Sequence, residues 1–239
     1  MAQDVFKRYE KKYMITMEQY HELIGRMMQK MSPDQYGKHT ICNIYFDTPG
    51  YGMIRSSLEK PVYKEKIRLR SYGLPQEDDT VYIELKKKYD GVVYKRRVPM
   101  RLGDARKYLY YGIKPESEGQ IFREIDYAVQ FYRPKPAVYL AYERIAFFGK
   151  EDPELRVTFD MNIRARDYDL DLSKGSHGIR LLDNHQMLME VKIPGAMPVW
   201  MSHLFAKLRI YPVSYSKYGT YYQAYIAGHG IYEGGRICA

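Results

Sequence analysis

Alternation of charged and apolar residues in several short segments constrains this fold more than any other feature of the sequence. In Lys64–Arg70, basic side chains occupy every second position, and Ile67 and Leu69 lie between them. Successive side chains of a β-strand point to opposite faces, so this segment would present one charged and one apolar face. The pattern recurs along the chain and indicates a sheet whose two faces differ in polarity.

The alternation predicts eight strands, and helical periodicity predicts four helices. The predicted strands are Ile41–Asp47, Val62–Tyr72, Thr80–Lys87, Val92–Met100, Ala137–Phe148, Leu155–Ile163, His177–Leu182 and Met187–Ile193. The predicted helices are Thr16–Met31 with a Thr16/Gln19 capping box, Gly119–Tyr132, one from about Pro198, and Thr220–Ala227. Tight turns between strands favour antiparallel hairpins. We therefore expect an α+β fold, an eight-stranded antiparallel β-barrel with peripheral helices, as a single domain over residues 1–239.

The charged faces of these strands are mainly basic. A half-buried antiparallel strand ordinarily has a solvated face, which would explain any one of them. Six strands share the bias, however, and so many cations would repel each other unless an anion lay among them. If the sheet closes, the charged face lines a lumen that can surround one extended ligand. The sequence thus predicts a polyphosphate site, with a divalent metal between carboxylate and phosphate. The positions on these faces include Lys64, Lys66, Arg68, Arg70, Glu84, Lys86, Lys88, Lys95, Arg97, Tyr142, Arg144, Arg156, Thr158, Asp160, Glu190 and Lys192.

The whole-chain charge agrees with a polyanionic partner. There are 38 Lys and Arg against 29 Asp and Glu, a formal net charge of +9. Charge alone does not choose among nucleic acid, an anionic membrane surface and a phosphate-rich small molecule. The two cysteines cannot form a disulfide framework, and we find neither a signal peptide nor a long apolar run. We expect a cytoplasmic protein that is not inserted in a membrane.

Nine short motifs follow one another along most of the chain. They are EKKY (Glu10–Tyr13), NIYFDT (Asn43–Thr48), IRLRSYG (Ile67–Gly73), IELKK (Ile83–Lys87), KRR (Lys95–Arg97), YERIAF (Tyr142–Phe147), LRVTFD (Leu155–Asp160), LMEVKIP (Leu188–Pro194) and YSKYG (Tyr215–Gly219). In this order and spacing the chain resembles the triphosphate tunnel metalloenzymes, and within them the vacuolar transporter chaperone (VTC) type polyphosphate polymerase domain. The resemblance implies a tunnel that binds ATP and transfers its terminal phosphate to a growing polyphosphate chain.

The resemblance also implies roles for particular residues. The catalytic and phosphate-binding set would be Lys12, Arg68, Arg70, Lys86, Arg144, Arg156 and Lys217. Further phosphate-binding candidates are Lys66, Lys95 or Arg97, Tyr142, Lys192 and Ser216. Glu190 would bind Mn²⁺ or Mg²⁺, with Glu10 and Glu84 as additional candidate ligands. Glu10 and Glu84 could instead be salt-bridge partners, and Asp47 is predicted to cap a turn.

One departure from the superfamily pattern bears on the reaction. The hydrolytic branch begins with Glu-x-Glu-x-Lys, whereas Arg8, Glu10 and Lys12 occupy those positions here. The missing glutamate favours the polymerase over a two-metal hydrolase. Eukaryotic polymerase subunits also carry an SPX domain and membrane helices, so we expect any membrane attachment to require a separate partner.

Four functions remain open from the sequence. The first is the polymerase, with ATP, polyphosphate, tripolyphosphate or pyrophosphate as ligands. The second is a metal-dependent hydrolase of tripolyphosphate or nucleoside triphosphates, and the third is a polyphosphate-binding module without catalysis. The fourth is a nucleic-acid-binding barrel, which a narrow lumen argues against because a duplex could not enter. We therefore expect no nucleic acid among the partners.

Overall fold

An antiparallel sheet with helices packed against it makes up the computed structural model, which describes residues 9–90, 92–116 and 119–228. The strands are β1 Tyr9–Thr16, β2 Met31–Pro33, β3 His39–Asp47, β4 Tyr63–Tyr72, β5 Thr80–Tyr89, β6 Val92–Arg101, β7 Lys135–Gly149, β8 Arg156–Arg166, β9 Ile179–Arg180 and β10 Gln186–Ile193. The helices are α1 Met17–Met27, α2 Gly52–Leu58, α3 Leu102–Tyr111, α4 Gln120–Tyr132, α5 Val199–Lys207 and α6 Lys217–Tyr221, and a π-helical turn, Tyr222–Ile226, follows α6. The predicted α+β class is confirmed.

Eight strands form the continuous path of the sheet, in the order β1-β10-β8-β7-β3-β4-β5-β6. The short strands β2 and β9 pair beside this path with β7 and β8. Over the described residues, no backbone pairing joins β1 to β6, so the barrel is not closed by hydrogen bonds. Side chains nevertheless approach each other across this gap, because Glu10 of the edge strand β1 lies 3.9 Å from Lys86 of β5, the strand next to the other edge. The sheet is therefore a curled, tunnel-like barrel with an open seam.

The apolar faces of the strands point outward against helices, as the alternation predicts. Ile67, Ile83 and other outward residues of β3 to β6 pack against α3 and α4. On the opposite side, outward residues of β1, β8 and β10 pack against α1 and α5. A third apolar cluster contains Leu140 and Leu188 of the inner face and packs against α2 and α6. This cluster fills part of the lumen, and charged residues surround the remainder.

The helices agree with the sequence in part. The Thr16 capping box is confirmed, with the Gln19 amide donating to Thr16 Oγ1 at 3.1 Å. Helix α1 ends at Met27 instead of Met31, because the backbone of Met31 pairs with Gly149 of β7. The predicted terminal helix begins earlier, at Lys217, and becomes a π-helical turn. Helices α2 and α3 were not predicted.

The strand predictions differ from the structure at three strands. We predicted neither the short β2 nor β1, although β1 forms eight residue pairs with β10. The predicted strand His177–Leu182 is reduced to Ile179–Arg180. The reason is that the His177 carbonyl accepts a 2.6 Å hydrogen bond from buried Arg166 instead of joining a strand ladder. The eight principal strands therefore include β1 and exclude β9. Across the described ranges, no helix combines the length and apolar character needed to cross a membrane.

Candidate functional site

A cavity of about 500 Å³ occupies the charged part of the lumen. Seven of the eight principal strands and the start of α6 supply its walls. Nine of the lining residues are Lys or Arg, and three are Glu. The lining residues are Glu10, Lys12, Tyr45, Lys66, Arg68, Arg70, Glu84, Lys86, Val93, Lys95, Tyr142, Arg144, Glu190, Lys192, Ser216, Lys217 and Tyr218. The excess of basic side chains makes this cavity suited to a polyanion.

The structure brings fourteen of the sixteen candidate site residues to this cavity. The two that do not line it are Arg156 and Arg97. Arg156 is exposed at the first position of β8, beside Lys192 of β10 in the strand register. Arg97 lies farther along the inner face of β6 than Lys95, which does line the cavity. Of the two alternatives that the sequence left open, the position of Lys95 in the cavity wall makes it the better candidate for a phosphate ligand than Arg97.

Glu190 lies at the centre of one cluster of charges. Its carboxylate is 3.1 Å from Lys217 Nζ, 3.4 Å from Arg144 Nη2 and 3.7 Å from Lys12 Nζ. Burial opposes ionisation of this carboxyl group, but Lys217, Lys12 and Arg144 hold its pKa well below the ordinary value. Glu190 is therefore an anion at neutral pH even though only 8% of its surface is exposed.

Asp160 is a buried acidic partner of two cations in this cluster. It is fully buried, and its carboxylate accepts two hydrogen bonds from Arg144, at 2.6 and 2.7 Å. Lys217 Nζ lies 2.6 Å from the same carboxylate. Although burial would lower the pKa of Lys217, Asp160 and Glu190 raise it above the ordinary value. Asp160 thus fixes two cations in the wall, and each keeps its charge in a buried position.

Glu84 forms the centre of a second cluster. Arg68 Nη2 is 2.6 Å from Glu84 Oε2, while Lys95 Nζ and Arg97 Nε are 2.8 and 3.1 Å from Oε1. Burial would raise the pKa of Glu84, but Arg68, Arg70 and Lys95 hold it far below its ordinary value. Basic groups contact both Glu84 oxygens at 2.6 to 3.1 Å, closer than the contacts of 3.1 to 3.7 Å around Glu190, so Glu84 is less available to a metal than Glu190.

Between these clusters, Arg70 is held by two neutral groups. Its Nε donates to Asn43 Oδ1 at 2.8 Å, and its Nη2 donates to the Tyr142 hydroxyl at 3.1 Å. Only 7% of Arg70 is exposed. Its Nε also lies 4.0 Å from Glu84 Oε2, but Arg68, Lys95 and Arg97 are nearer to that carboxylate, so Arg70 keeps positive charge for an anion in the cavity.

Burial leaves two lysines of the cavity less basic than usual. It lowers the pKa of both Lys66 and Lys95 to about 8, and in Lys95 the nearby Glu84 only partly offsets the effect. Burial also lowers the pKa of Lys192, against the influence of Glu10 and Glu190. A bound phosphate would stabilise the protonated form of all three ammonium groups.

The carboxylates fit a metal that is shared with a substrate. Among the described residues, no group of three or more His, Cys, Asp or Glu side chains could hold a metal ion. Mg²⁺, however, commonly binds through one or two carboxylates plus the phosphates of a substrate. Glu10 and Glu190 both line the cavity. Burial and the charge of Glu190 raise the pKa of Glu10, but Lys86 and Lys12 outweigh them, so both groups are ionised. These two residues are better placed as metal ligands than Glu84, whose basic neighbours lie closer to its oxygens.

Four contributors were not among the candidate site residues, and one of them is the apolar Val93 of β6. Tyr45 and Tyr218 line the cavity with stacked rings whose centroids are 5.0 Å apart, and Asp160 lies beneath its wall. The alternation of Asn43, Tyr45 and Asp47 on one face of β3 was a usable signal for Tyr45. No local pattern could have shown that Asp160 pairs with Lys217, because the two are far apart in sequence.

The prediction that Asp47 caps a turn is confirmed. Asp47 Oδ1 accepts from the Met53 amide at 2.9 Å, and Oδ2 accepts from the Ile54 amide at 3.0 Å. The Tyr218 hydroxyl donates to the same Oδ2 at 2.9 Å. Asp47 thus joins β3 to the start of α2 and to α6, the helix that carries Lys217.

Fold and cavity together define an α+β protein with a tunnel-like barrel lined by basic side chains, and comparisons with known proteins identify the family. The VTC domain family matches residues 7–226, so the chain belongs to the VTC domain family. A provisional adenylate cyclase from Bacillus halodurans has the same fold, with a TM-score of 0.58 and 14% sequence identity over 94% of this chain and all of that one.

Two other solved structures are more distant. A provisional adenylate cyclase from Vibrio parahaemolyticus has a TM-score of 0.47 and 11% identity, over 91% of this chain and 98% of that one. The Mimivirus capping enzyme triphosphatase has a TM-score of 0.33 and 8% identity, over 84% of this chain and 88% of that one. At these scores neither contributes to the functional argument. None of the curated proteins matches the chain.

Proposed function

We propose that this protein is an ATP-dependent polyphosphate polymerase, which transfers the terminal phosphate of ATP to a growing polyphosphate chain. The observation that carries the proposal is the cavity itself, in which nine basic side chains surround a space of about 500 Å³. Membership of the VTC domain family supports the same reaction class. The expected ligands are ATP, polyphosphate and shorter polyphosphates, with Mn²⁺ or Mg²⁺ as cofactor.

The arrangement suits phosphoryl transfer because the reaction requires positioning and cations more than a covalent nucleophile. An oxygen of the acceptor's terminal phosphate attacks the γ-phosphorus, the bond from that phosphorus to the β–γ bridging oxygen breaks, and ADP leaves. The acceptor oxygen is already ionised near neutral pH, so this step needs no general base. The basic side chains lower the repulsion between the two anionic reactants.

Different residues of the cavity would contribute to phosphoryl transfer in different ways. Arg70 and Arg144 use two or three of their five guanidinium N–H donors on residues of the wall, and the remaining donors can contact phosphate oxygens. Lys217 and Lys12 add point charges beside Glu190. Fixed cations in an enclosed cavity stabilise developing charge without reorganising during the reaction. Glu190 and Glu10 would hold the divalent metal, which would neutralise phosphate charge when bound.

Incubation of the purified protein with ATP and Mn²⁺ tests the proposal, with polyphosphate resolved on gels and free phosphate measured in parallel. We expect a polymer ladder that requires ATP. Glu190→Gln should reduce polymer formation about a hundredfold or more, by removing the charge that would bind metal. Glu22→Gln, at an exposed position of α1, is the matched control and should remain active.

Other products would lead to other functions. Orthophosphate without a polymer would identify a triphosphatase. Neither product, combined with tight binding of tripolyphosphate, would identify a binding module. Full activity of Glu190→Gln would show that the carboxylate is not a metal ligand.

A further inference from the structure

A group of aromatic side chains lies exposed on the outside of the sheet, away from the cavity. Helix α4 packs against β5 and β6, and its residues Phe122, Ile125 and Ala128 are buried there. The opposite side of such a helix is ordinarily polar. In α4 it carries Tyr127 and Phe131, which are 69% and 66% exposed and whose rings stack with centroids 6.1 Å apart. The helix therefore has aromatic surface on the side that its packing does not use.

The strands beside α4 extend this surface. Tyr63 of β4 is paired with Tyr89 of β5, and the two are 45% and 57% exposed. The hydroxyls of Tyr63 and Tyr132 both donate to Glu65, and the Tyr132 ring contacts that of Phe131 at 4.9 Å between centroids. The start of β4 is thus continuous with the end of α4. We call this surface the aromatic face, and its exposed members are Val62, Tyr63, Tyr89, Tyr127 and Phe131. Adjoining exposed apolar side chains of this kind mark an interaction site.

Basic side chains flank the aromatic face. Five of them lie within four residues of one of its members in the chain, namely Lys60, Lys88, Arg123, Arg133 and Lys135. Over the described ranges, none of these five side chains forms a salt bridge. Two exposed acids, Glu59 and Asp90, lie among them, which leaves a surplus of three positive charges. The exposed rings are therefore accompanied by cations that are free to attract an anionic partner.

This combination of rings and cations matches an anionic membrane surface. Tyrosine is enriched where a bilayer meets water, because its ring is apolar and its hydroxyl is polar. Three of the five members of the aromatic face are tyrosines. Lys and Arg side chains beside inserted rings are attracted to anionic lipid headgroups. A second copy of the chain would bring the same surplus of positive charge against this surface, and like charges repel.

We propose that the aromatic face binds the surface of an anionic lipid bilayer, with Tyr127 and Phe131 inserted among the headgroups. The protein would lie on the membrane without crossing it. This contact would replace the separate membrane partner that we expect from the sequence. The inference does not depend on the reaction in the cavity, because no member of the aromatic face lines it.

Co-sedimentation of the protein with lipid vesicles tests the proposal. The vesicles contain phosphatidylcholine alone or phosphatidylcholine mixed with anionic phosphatidylglycerol. We expect the wild type to bind the mixed vesicles about tenfold or more tightly than the neutral ones, and added salt to weaken that binding. Phe131→Ser should weaken binding to the mixed vesicles about tenfold by removing an inserted ring. Arg123→Gln should weaken it about fivefold by removing one charge. Tyr211→Ser is the matched control and should bind normally, because Tyr211 is 67% exposed but lies beyond α5, outside the aromatic face.

Further measurements separate this surface from the cavity and from self-association. Saturating tripolyphosphate at constant ionic strength should leave vesicle binding unchanged, and release of the vesicles would assign the lipid contact to the cavity instead. Absence of binding to the mixed vesicles, or equal weakening in Tyr211→Ser and Phe131→Ser, would refute the aromatic face as a lipid site. A lipid-free dimer in analytical ultracentrifugation that Phe131→Ser dissociates would assign this face to a second copy of the chain. Both variants should keep the Tm of the wild type, because the substituted side chains are exposed.

Discussion

At the scale of single residues, Tyr45 shows how strongly the cations of the cavity shift the pKa of a side chain that lines it. Its hydroxyl accepts a 3.2 Å hydrogen bond from Arg68 Nη1. Burial alone would raise the pKa of this phenol, but the charges of Arg68, Lys66 and Arg70 outweigh it and lower the pKa to about 8. In the absence of an anionic ligand, the surrounding cations thus favour the ionised, negatively charged form of this phenol.

This leads to a test of the cavity's field. Free protein should show one tyrosine ionising near pH 8, as measured by ultraviolet difference spectroscopy of tyrosinate. Saturating tripolyphosphate should move that ionisation upward, because bound phosphates offset the same cations. Tyr45→Phe should abolish the transition, and Tyr111→Phe should leave it intact. A transition that persists in Tyr45→Phe would place the acidified phenol elsewhere.

Residue identities in the site could be predicted to the extent that each carries its own signal. For basic residues at alternate strand positions, such as Arg68 and Arg70, the local sequence is enough to predict the face of the sheet on which they lie. Which residues contact each other cannot be predicted in this way, because the contact of Asp160 with Lys217 depends on how β8 packs against α6. Arg97 shows a second limit, since alternation predicts its face but not how far along the lumen it lies.

At the scale of elements, Asp47 holds α2 and α6 in their positions on the sheet. It is 1% exposed, and it accepts hydrogen bonds from two amides of α2 and from the Tyr218 hydroxyl. Ser216 begins α6, accepting a 3.1 Å hydrogen bond from the Gly219 amide. These caps place Lys217 where it meets Glu190 and Asp160.

Removal of this cap should affect both stability and binding. Asp47→Ala leaves buried donors without an acceptor and should lower the free energy of unfolding by about 3 kcal/mol, measured by chemical denaturation. Tripolyphosphate affinity should fall as well, because α6 loses its link to β3. Asp78→Asn, at a highly exposed side chain, is the control. A variant as stable as wild type would show that solvent or another group replaces the carboxylate.

Elements were predictable where periodicity was uninterrupted. Strands β4 to β6 begin and end within two residues of prediction, since their alternation continues to each end. In β1, the run Glu10-Lys11-Lys12 conceals the pattern, and only Tyr13 and Ile15 show the apolar face. Helix α2 is capped by Asp47 and Thr48, several residues before its start, so no residue next to it signals the N-terminus.

At the scale of the whole molecule, the excess of cations makes stability depend on the ligand. A ligand that binds only the folded state at about a hundred times its Kd adds about 2.7 kcal/mol. For a chain of this size, that corresponds to a rise in Tm of about 5–10 °C. We expect tripolyphosphate to produce this rise in differential scanning fluorimetry, and added salt to reduce it.

The controls for this prediction distinguish a fitted site from general charge attraction. Orthophosphate and a single-stranded oligonucleotide, at matched charge concentration, should raise Tm much less than tripolyphosphate. An oligonucleotide that stabilises the protein equally would contradict the expectation that nucleic acid is not a partner.

For the proposed polymerase, the seam between β1 and β6 also has a consequence for how a long product would leave. A ring closed by backbone hydrogen bonds would oblige a polymer to slide out lengthwise, and the path would grow with every unit added. Over the described residues, what spans this gap near the cavity is the weak contact of Glu10 with Lys86, at 3.9 Å. Parting one such contact costs little near solvent. A slit of this kind would let a strand slip out sideways at any length, so release would not have to slow as the product grows.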